Sequence, residues 1–253
     1  MPKEKETNLL KYNMDHGKRG IALIINTDTY DDPNPFKLEE RVWSKKDVEN
    51  LKKTLNYLEF DVKLEENLTK SEIEECLQKI ATKIDHKDFD CFKLISFEEI
   101  LAPIKSGKTL FDKPKMFFFQ ACRGEKEMES RASSANSTKS SRTAQPGDGP
   151  TNLKSNKNKK TYFENESDLL KYFSTLPDHL SFPYTNYKAN GTIFIKSVCD
   201  AFNDSYKNLP KNMSLAQICT RINESVSKSE QQISEIITNR INKEVYFSPK
   251  NVS

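Results

Sequence analysis

A thiol at the end of a strand is the feature of this sequence with the clearest chemical potential. Residues 116–119, Met-Phe-Phe-Phe, form a short apolar run that leads through Gln120 and Ala121 to Cys122, Arg123 and Gly124. A continuous apolar run of this kind reads as a strand buried on both faces. A cysteine just past its end is, by position alone, more often inert packing than a nucleophile, and nucleophilic attack is the chemistry it could do. Free thiols ionise near pH 8.5, so such a nucleophile normally works with an imidazole that raises its reactivity and protonates the leaving group. The chain has three histidines. His86 precedes the third predicted strand, whereas Cys122 follows the fourth. In a parallel sheet, functional groups gather at the carboxyl ends of the strands. His86 is therefore expected at the opposite edge, roughly 17–20 Å away, as a loop residue. His16 precedes the first strand and fails for the same reason. His179 follows Pro177 in a later loop and could approach Cys122.

The elements that must position these residues alternate along the chain. Residues 20–26 are a strand, and residues 46–58 space Val48, Leu51, Leu55 and Leu58 at helical intervals. Residues 60–64 alternate as a second strand. Thr69-Lys-Ser-Glu72 is the pattern of a capping box and opens a helix through Lys83. Residues 89–95 are a third strand, 97–104 a helix and 116–119 the fourth strand. Residues 125–160 are rich in Ser, Lys, Asn and Thr, with Pro146-Gly-Asp148-Gly-Pro150, and read as a flexible linker. A strand over 169–176, helices over 192–206 and 214–226, and a last strand over 244–247 follow. Strands alternating with helices imply an α/β fold with a mostly parallel sheet.

Composition excludes several classes. The 253 residues are 35% hydrophobic and 30% charged, with net charge +3. That balance describes a soluble protein and does not suggest a nucleic-acid binder. No run reaches the ~18 apolar residues of a membrane span, and residues 1–7 lack the apolar core of a signal peptide. No membrane partner is expected, and a cytoplasmic location is. The five cysteines, Cys76, Cys91, Cys122, Cys199 and Cys219, are odd in number and lack CxxC spacing. This argues against a disulfide framework and a zinc site. No metal and no cofactor is expected.

Taken in order, several segments resemble the caspase family. They include Tyr12-Asn-Met-Asp-His16 through the first strand, Asp85-His86 to Phe92, and Lys113-Pro-Lys to Gly124 with its Gln-Ala-Cys-Arg-Gly motif. Residues 169–177, 191–199 and 243–247 continue the match. The resemblance implies a three-layer sandwich, a central six-stranded sheet with helices on both faces. It implies a short pro-segment (1–18), a large-subunit-like region (19–124), the intersubunit linker (125–160) and a small-subunit-like region (161–253). Caspases are cysteine endopeptidases that cut after Asp, are matured by cleavage of the linker, and work as dimers joined through their last strand. By this resemblance Cys122 is the nucleophile, and its backbone N–H supplies an oxyanion donor. Arg41 and Gln120 line the pocket for the substrate Asp, with bidentate recognition by the guanidinium. Phe182 is an aromatic wall of the groove, and His179 falls at a substrate-groove position. Asp148 is the candidate cleavage site in the linker, since a protease needs extended, accessible chain. A turn-rich spacer explains the same residues.

Two departures stand against the family pattern. Its third strand runs into a Ser-His-Gly turn and a hairpin, whereas Leu94 here passes directly into Ile95-Ser-Phe-Glu-Glu. On the order of 20 residues are missing, judged from the length of a normal crossover. The family's Ser-Trp-Arg segment is Ser181-Phe182-Pro183, so a proline stands where an arginine would hold the substrate Asp. One reading is a catalytically impaired homologue that regulates active caspases by dimerisation. Another is a functional Asp-specific endopeptidase whose sequence is shortened by a skipped or missed exon. A third is a substrate decoy that is cut at Asp148 and never cuts.

Overall fold

The computed structural model describes residues 10–29, 40–96, 108–126, 167–208 and 213–250. The predicted helix over 97–104 and residues 127–160 of the expected linker, with Asp148, lie outside them, while its first two residues, Glu125 and Lys126, belong to a short strand. The described strands are β1 (Ile21–Asn26), β2 (Asp61–Glu66), β3 (Phe92–Ser96), β4 (Lys115–Phe119), β5 (Gly124–Lys126), β6 (Leu169–Phe173), β7 (Asp178–His179) and β8 (Glu235–Asn239). The helices are α1 (Ser44–Tyr57), α2 (Lys70–Lys83), the single turn α3 (Tyr187–Asn190), α4 (Ile193–Lys207) and α5 (Leu215–Ser227). Six strands form one sheet in the order β2-β1-β3-β4-β6-β8, and β5 pairs with β7 in a small second sheet. The large sheet is parallel except at β8, which runs antiparallel to β6. Despite the short connection that follows it, β3 pairs on both sides, with β1 through Lys93–Ser96 and with β4 along its whole length.

The period of two along each strand sorts the side chains into two cores. Ala22, Ile24, Met116, Phe118, Leu170 and Tyr172 pack under α1, α4 and α5. Ile21, Leu23, Phe92, Leu94, Phe117 and Phe119 pack under α2 on the other face. This is the expected three-layer sandwich. The capping box at Thr69 and Glu72 forms as predicted, with the Thr69 backbone N–H donating to Glu72 at 2.8 Å. Ser214 and Gln217 form a second one at α5. Gly20, at φ 125°, lets β1 enter beside β3; a Cβ there would lie 1.9 Å from the Cys91 carbonyl oxygen.

The last-strand assignment is corrected. The sixth strand is Glu235–Asn239, not residues 244–247. Val245 and Phe247 are buried, which gives the segment the alternation of a strand. Its hydrogen bonds, however, go to Leu10, Tyr12 and Leu215, so it straps the amino-terminal segment and α5. β8 is an edge strand with Ile237 exposed, and with none of its residues fully buried it has little apolar pattern to read. Tyr12 and Met14, inside the expected pro-segment, are buried in the main core.

Lys93, on β3, is the most unusual core residue. Only 2% exposed, it places its ammonium group 3.6 Å from the Phe202 ring centre and 5.0–5.8 Å from those of Phe118, Phe60 and Phe247. Burial pushes its pKa down to about 8. The unfolded chain therefore binds the extra proton between about pH 8 and the ordinary lysine range. Stability contributed by this group rises with pH across that window, by on the order of 3 kcal/mol. Lys93→Met should raise the unfolding free energy at pH 7, and the gain should shrink by pH 9.5. Denaturant melts at the two pH values test this, and a gain of equal size at both would refute it.

Candidate functional site

Chain order places the site at the carboxyl edge of the large sheet. Asn26 ends β1, Ser96 ends β3, Gln120 and Cys122 follow β4, and Ser174 follows β6. Gln120 donates its backbone N–H to Ser96 at 2.9 Å, which carries the chain straight on past the strand. The Gln120 side chain is buried, and its Nε2 donates to the Ser181 hydroxyl at 2.9 Å. Its Oε1 has no partner among the described residues.

Cys122 is the one exposed cysteine of the five. Its hydrogen bonds among the described residues go to Ser181: the thiol donates to the Ser181 carbonyl oxygen at 3.7 Å, and the Ser181 N–H donates to sulfur at 3.4 Å. No histidine ring is hydrogen-bonded to it among the described residues. His179 is brought alongside by its backbone, whose carbonyl oxygen accepts the Arg123 N–H at 2.9 Å, but its ring Nδ1 lies 2.8 Å from the Pro177 carbonyl oxygen. His16 contacts Asp90 and Lys113, which precede β3 and β4, so it sits at the amino edge as expected. His86 also lies before β3. It is a loop residue, as expected, and a fully buried one, with Nε2 2.9 Å from the Ile80 carbonyl oxygen and its ring against Phe89 and Phe92. Burial moves its pKa down.

Arg41 lies in the loop between β1 and α1. Its N–H donates to the Asp28 carbonyl oxygen at 3.0 Å and its guanidinium to the Thr27 carbonyl oxygen at 3.3 Å. It therefore shares the carboxyl edge with Gln120, with β3 between their strands. Phe182 is half-buried against the main core. Pro183 forms a bridge with Thr192.

Three residues that hold this edge together carried no sequence signal of their role. Ser174 accepts the Ala121 N–H at 3.3 Å and donates to the Ala121 carbonyl oxygen at 3.1 Å. Gln232, 1% exposed, accepts the Phe182 N–H at 2.7 Å and donates to the Ser174 carbonyl oxygen at 3.0 Å. Ser181 joins Gln120, Cys122 and Gln232. Polar residues of this kind are indistinguishable in sequence from solvated loop residues. Arg123 ties the thiol's neighbourhood to β8, with its guanidinium 2.5 Å from the Glu235 carboxylate and over the Phe173 ring. No metal-binding cluster is found among the described residues.

Fold and site together define an α/β sandwich that presents one exposed thiol at the carboxyl edge of its sheet. A family model for the caspase domain matches residues 19–246, and the chain belongs to the caspase family. It is 28% identical over 273 residues to caspase-7 of Gallus gallus, covering 95% of this chain and 81% of that protein. It is 29% identical over 209 residues to caspase-10 of Homo sapiens, covering 75% of this chain and 36% of that protein. The chain thus spans about a third of the length of the latter. The crystal structure of caspase-1 from Spodoptera frugiperda superposes with a TM-score of 0.72 at 23% identity, covering 100% of this chain and 98% of that one, which shows the shared fold. No described helix is long and apolar enough to cross a membrane.

Proposed function

We propose that this chain is a caspase homologue with weak or absent proteolysis, and that it regulates active caspases in the cytoplasm by pairing with them. The observation that carries this reading is the surroundings of Cys122. Its Sγ hydrogen-bonds to the Ser181 backbone and to no imidazole among the described residues. A thiol without a base keeps the ordinary reactivity of a thiol and lacks the acid that expels an amine. Arg41, Gln120 and Phe182 keep the character of a pocket for an acidic peptide, and Asp148 is its proposed cleavage position. Pairing would use the β8 edge, where unpaired backbone groups and the exposed Ile233 and Ile237 invite a second strand.

Mixing the purified chain with an active caspase, followed by native mass spectrometry, tests the pairing. A one-to-one complex that is lost in Ile237→Lys is the expected outcome. Two proteins that stay separate at tens of micromolar would sink the proposal. A second reading, an Asp-specific endopeptidase with a shortened sequence, is favoured by the retention of Gln120 and Cys122 at one edge. Transcripts that insert Ser-His-Gly after Leu94 would establish it.

A further inference from the structure

Asp47 is a carboxyl group with no exposed surface, on the first turns of α1. Its Oδ1 accepts the Thr192 N–H at 2.8 Å, and its Oδ2 has no hydrogen-bond partner among the described residues. The contact is tight. A Cβ on Gly191 would lie 2.1 Å from Oδ1, and Gly191 sits at φ 75°. One turn further along α1, Asn50 donates to the Asn190 carbonyl oxygen at 3.3 Å. α1 thus pins residues 190–192, where loop 182–191 closes on α4.

From there a continuous series of contacts leads to the thiol. Tyr184 donates its N–H to the Gly191 carbonyl oxygen at 3.0 Å, and Ile193 donates to that of Phe182 at 3.3 Å. Ser181, next to Phe182, holds the Cys122 sulfur through both of its backbone groups. We propose that Asp47 is a positioning residue for the cleft, whose protonation sets whether loop 182–191 holds the Ser181 backbone against the Cys122 thiol.

The electrostatics agree with the geometry. Burial pushes the Asp47 carboxyl up to about 7, against the smaller opposing effect of the Thr192 hydrogen bonds. No cation forms an ion pair with it among the described residues. The titratable group facing it from α4 is Cys199, whose thiol burial pushes up to about 12, so it stays neutral. On its own helix, Lys46 pairs with Glu49. In the neighbouring loops, Arg41 donates to Thr27 and Lys188 is exposed. The folded carboxyl binds its proton more tightly than the open one, so the closed loop is most stable below the ordinary carboxyl range. It loses stability as pH rises through about 7. Conformers that let water reach the unpartnered Oδ2 then gain population.

The inference rests on Cys122 being the thiol of the functional cleft, and its test uses neither peptide cleavage nor a partner. Failure of the pairing experiment would therefore leave it standing. Iodoacetamide is reacted with the full chain from pH 5.5 to 8, and alkylation at Cys122 is located by peptide mapping. Rates are normalised to the ionised fraction of Cys122, read from thiolate absorbance against Cys122→Ala. The normalised rate should rise about threefold or more, with a midpoint near 7. In Asp47→Asn it should stay flat at the low-pH value of the wild type. A flat wild-type profile, or an Asp47→Asn profile that rises in parallel, overturns the proposal. Should Asp47→Asn fail to fold, the carboxyl carbon of Asp47 is titrated by NMR in the wild type. A midpoint near 7 supports the proposal, and a midpoint below 5 overturns it.

Discussion

Replacing Asp90 by alanine should remove about 3–5 kcal/mol of stability, the cost of breaking a buried ion pair by deleting one partner. Asp90 has no exposed surface and sits just before β3. Its Oδ2 lies 2.9 Å from the Arg19 guanidinium and 2.5 Å from the Lys250 ammonium group. Its Oδ1 accepts the His16 backbone N–H at 3.0 Å and lies 3.3 Å from the His16 ring. The Arg19 side chain is itself wholly buried, donating to the carbonyl oxygens of Leu58 and Ser248. Glu59, at 3.8 Å, is a distant substitute for the lost carboxylate. Deletion therefore strands a guanidinium in the core and leaves the Lys250 ammonium group with the carbonyl oxygens of Met14 and His16 and no carboxylate. For a chain of this size the loss corresponds to a fall in Tm of roughly 10 °C. Asp61→Ala, which breaks the exposed pair with Lys63, should change stability by less than about 1 kcal/mol. Thermal melts of both variants decide the matter. A loss below 1 kcal/mol in Asp90→Ala would show that the cluster holds nothing together.

The purified chain should cleave a fluorogenic peptide after Asp at least about a thousandfold more slowly than an active caspase. Loss of a general acid–base is worth roughly 10²–10⁴ in rate. Loss of a charge-assisted contact to the substrate carboxylate adds about 1.5–3 kcal/mol. By the family resemblance, the two losses fall on the missing Ser-His-Gly turn and on Pro183. Any residual turnover should be unchanged in Cys122→Ala. Iodoacetamide should still modify Cys122, because the thiol is exposed. That reaction separates an idle nucleophile from a misfolded protein. Efficient turnover abolished by Cys122→Ala would restore the endopeptidase reading.

Much of the large sheet was legible because its strands are buried on both faces. β1 and β4 each contain a continuous apolar run, and every residue in them is buried. Helices α2 and α5 carry capping boxes that depend on residues three apart, a local property that sequence displays directly. β8 was not legible, since none of its residues is fully buried and Glu-Ile-Ile-Thr-Asn has no alternation of apolar and polar residues. Residues 244–247 misled for the complementary reason. Their alternating burial is produced by a strap, and alternation does not say which backbone supplies the hydrogen bonds.

Sequence alone determined the family, the strand that ends near Cys122, and the rejection of His16 and His86 as its base. Those conclusions follow from chain order, because a residue before a parallel strand and one after it lie at opposite edges. Only the tertiary structure decided what touches the thiol. Ser174 and Ser181 converge on the Gln120–Cys122 segment, and Gln232, from the loop before β8, holds both of them. Asp47 reaches Thr192, just past loop 182–191, from α1. Each is a polar residue whose partner is distant in sequence, and hydrogen bonds of that kind leave no periodic trace along the chain.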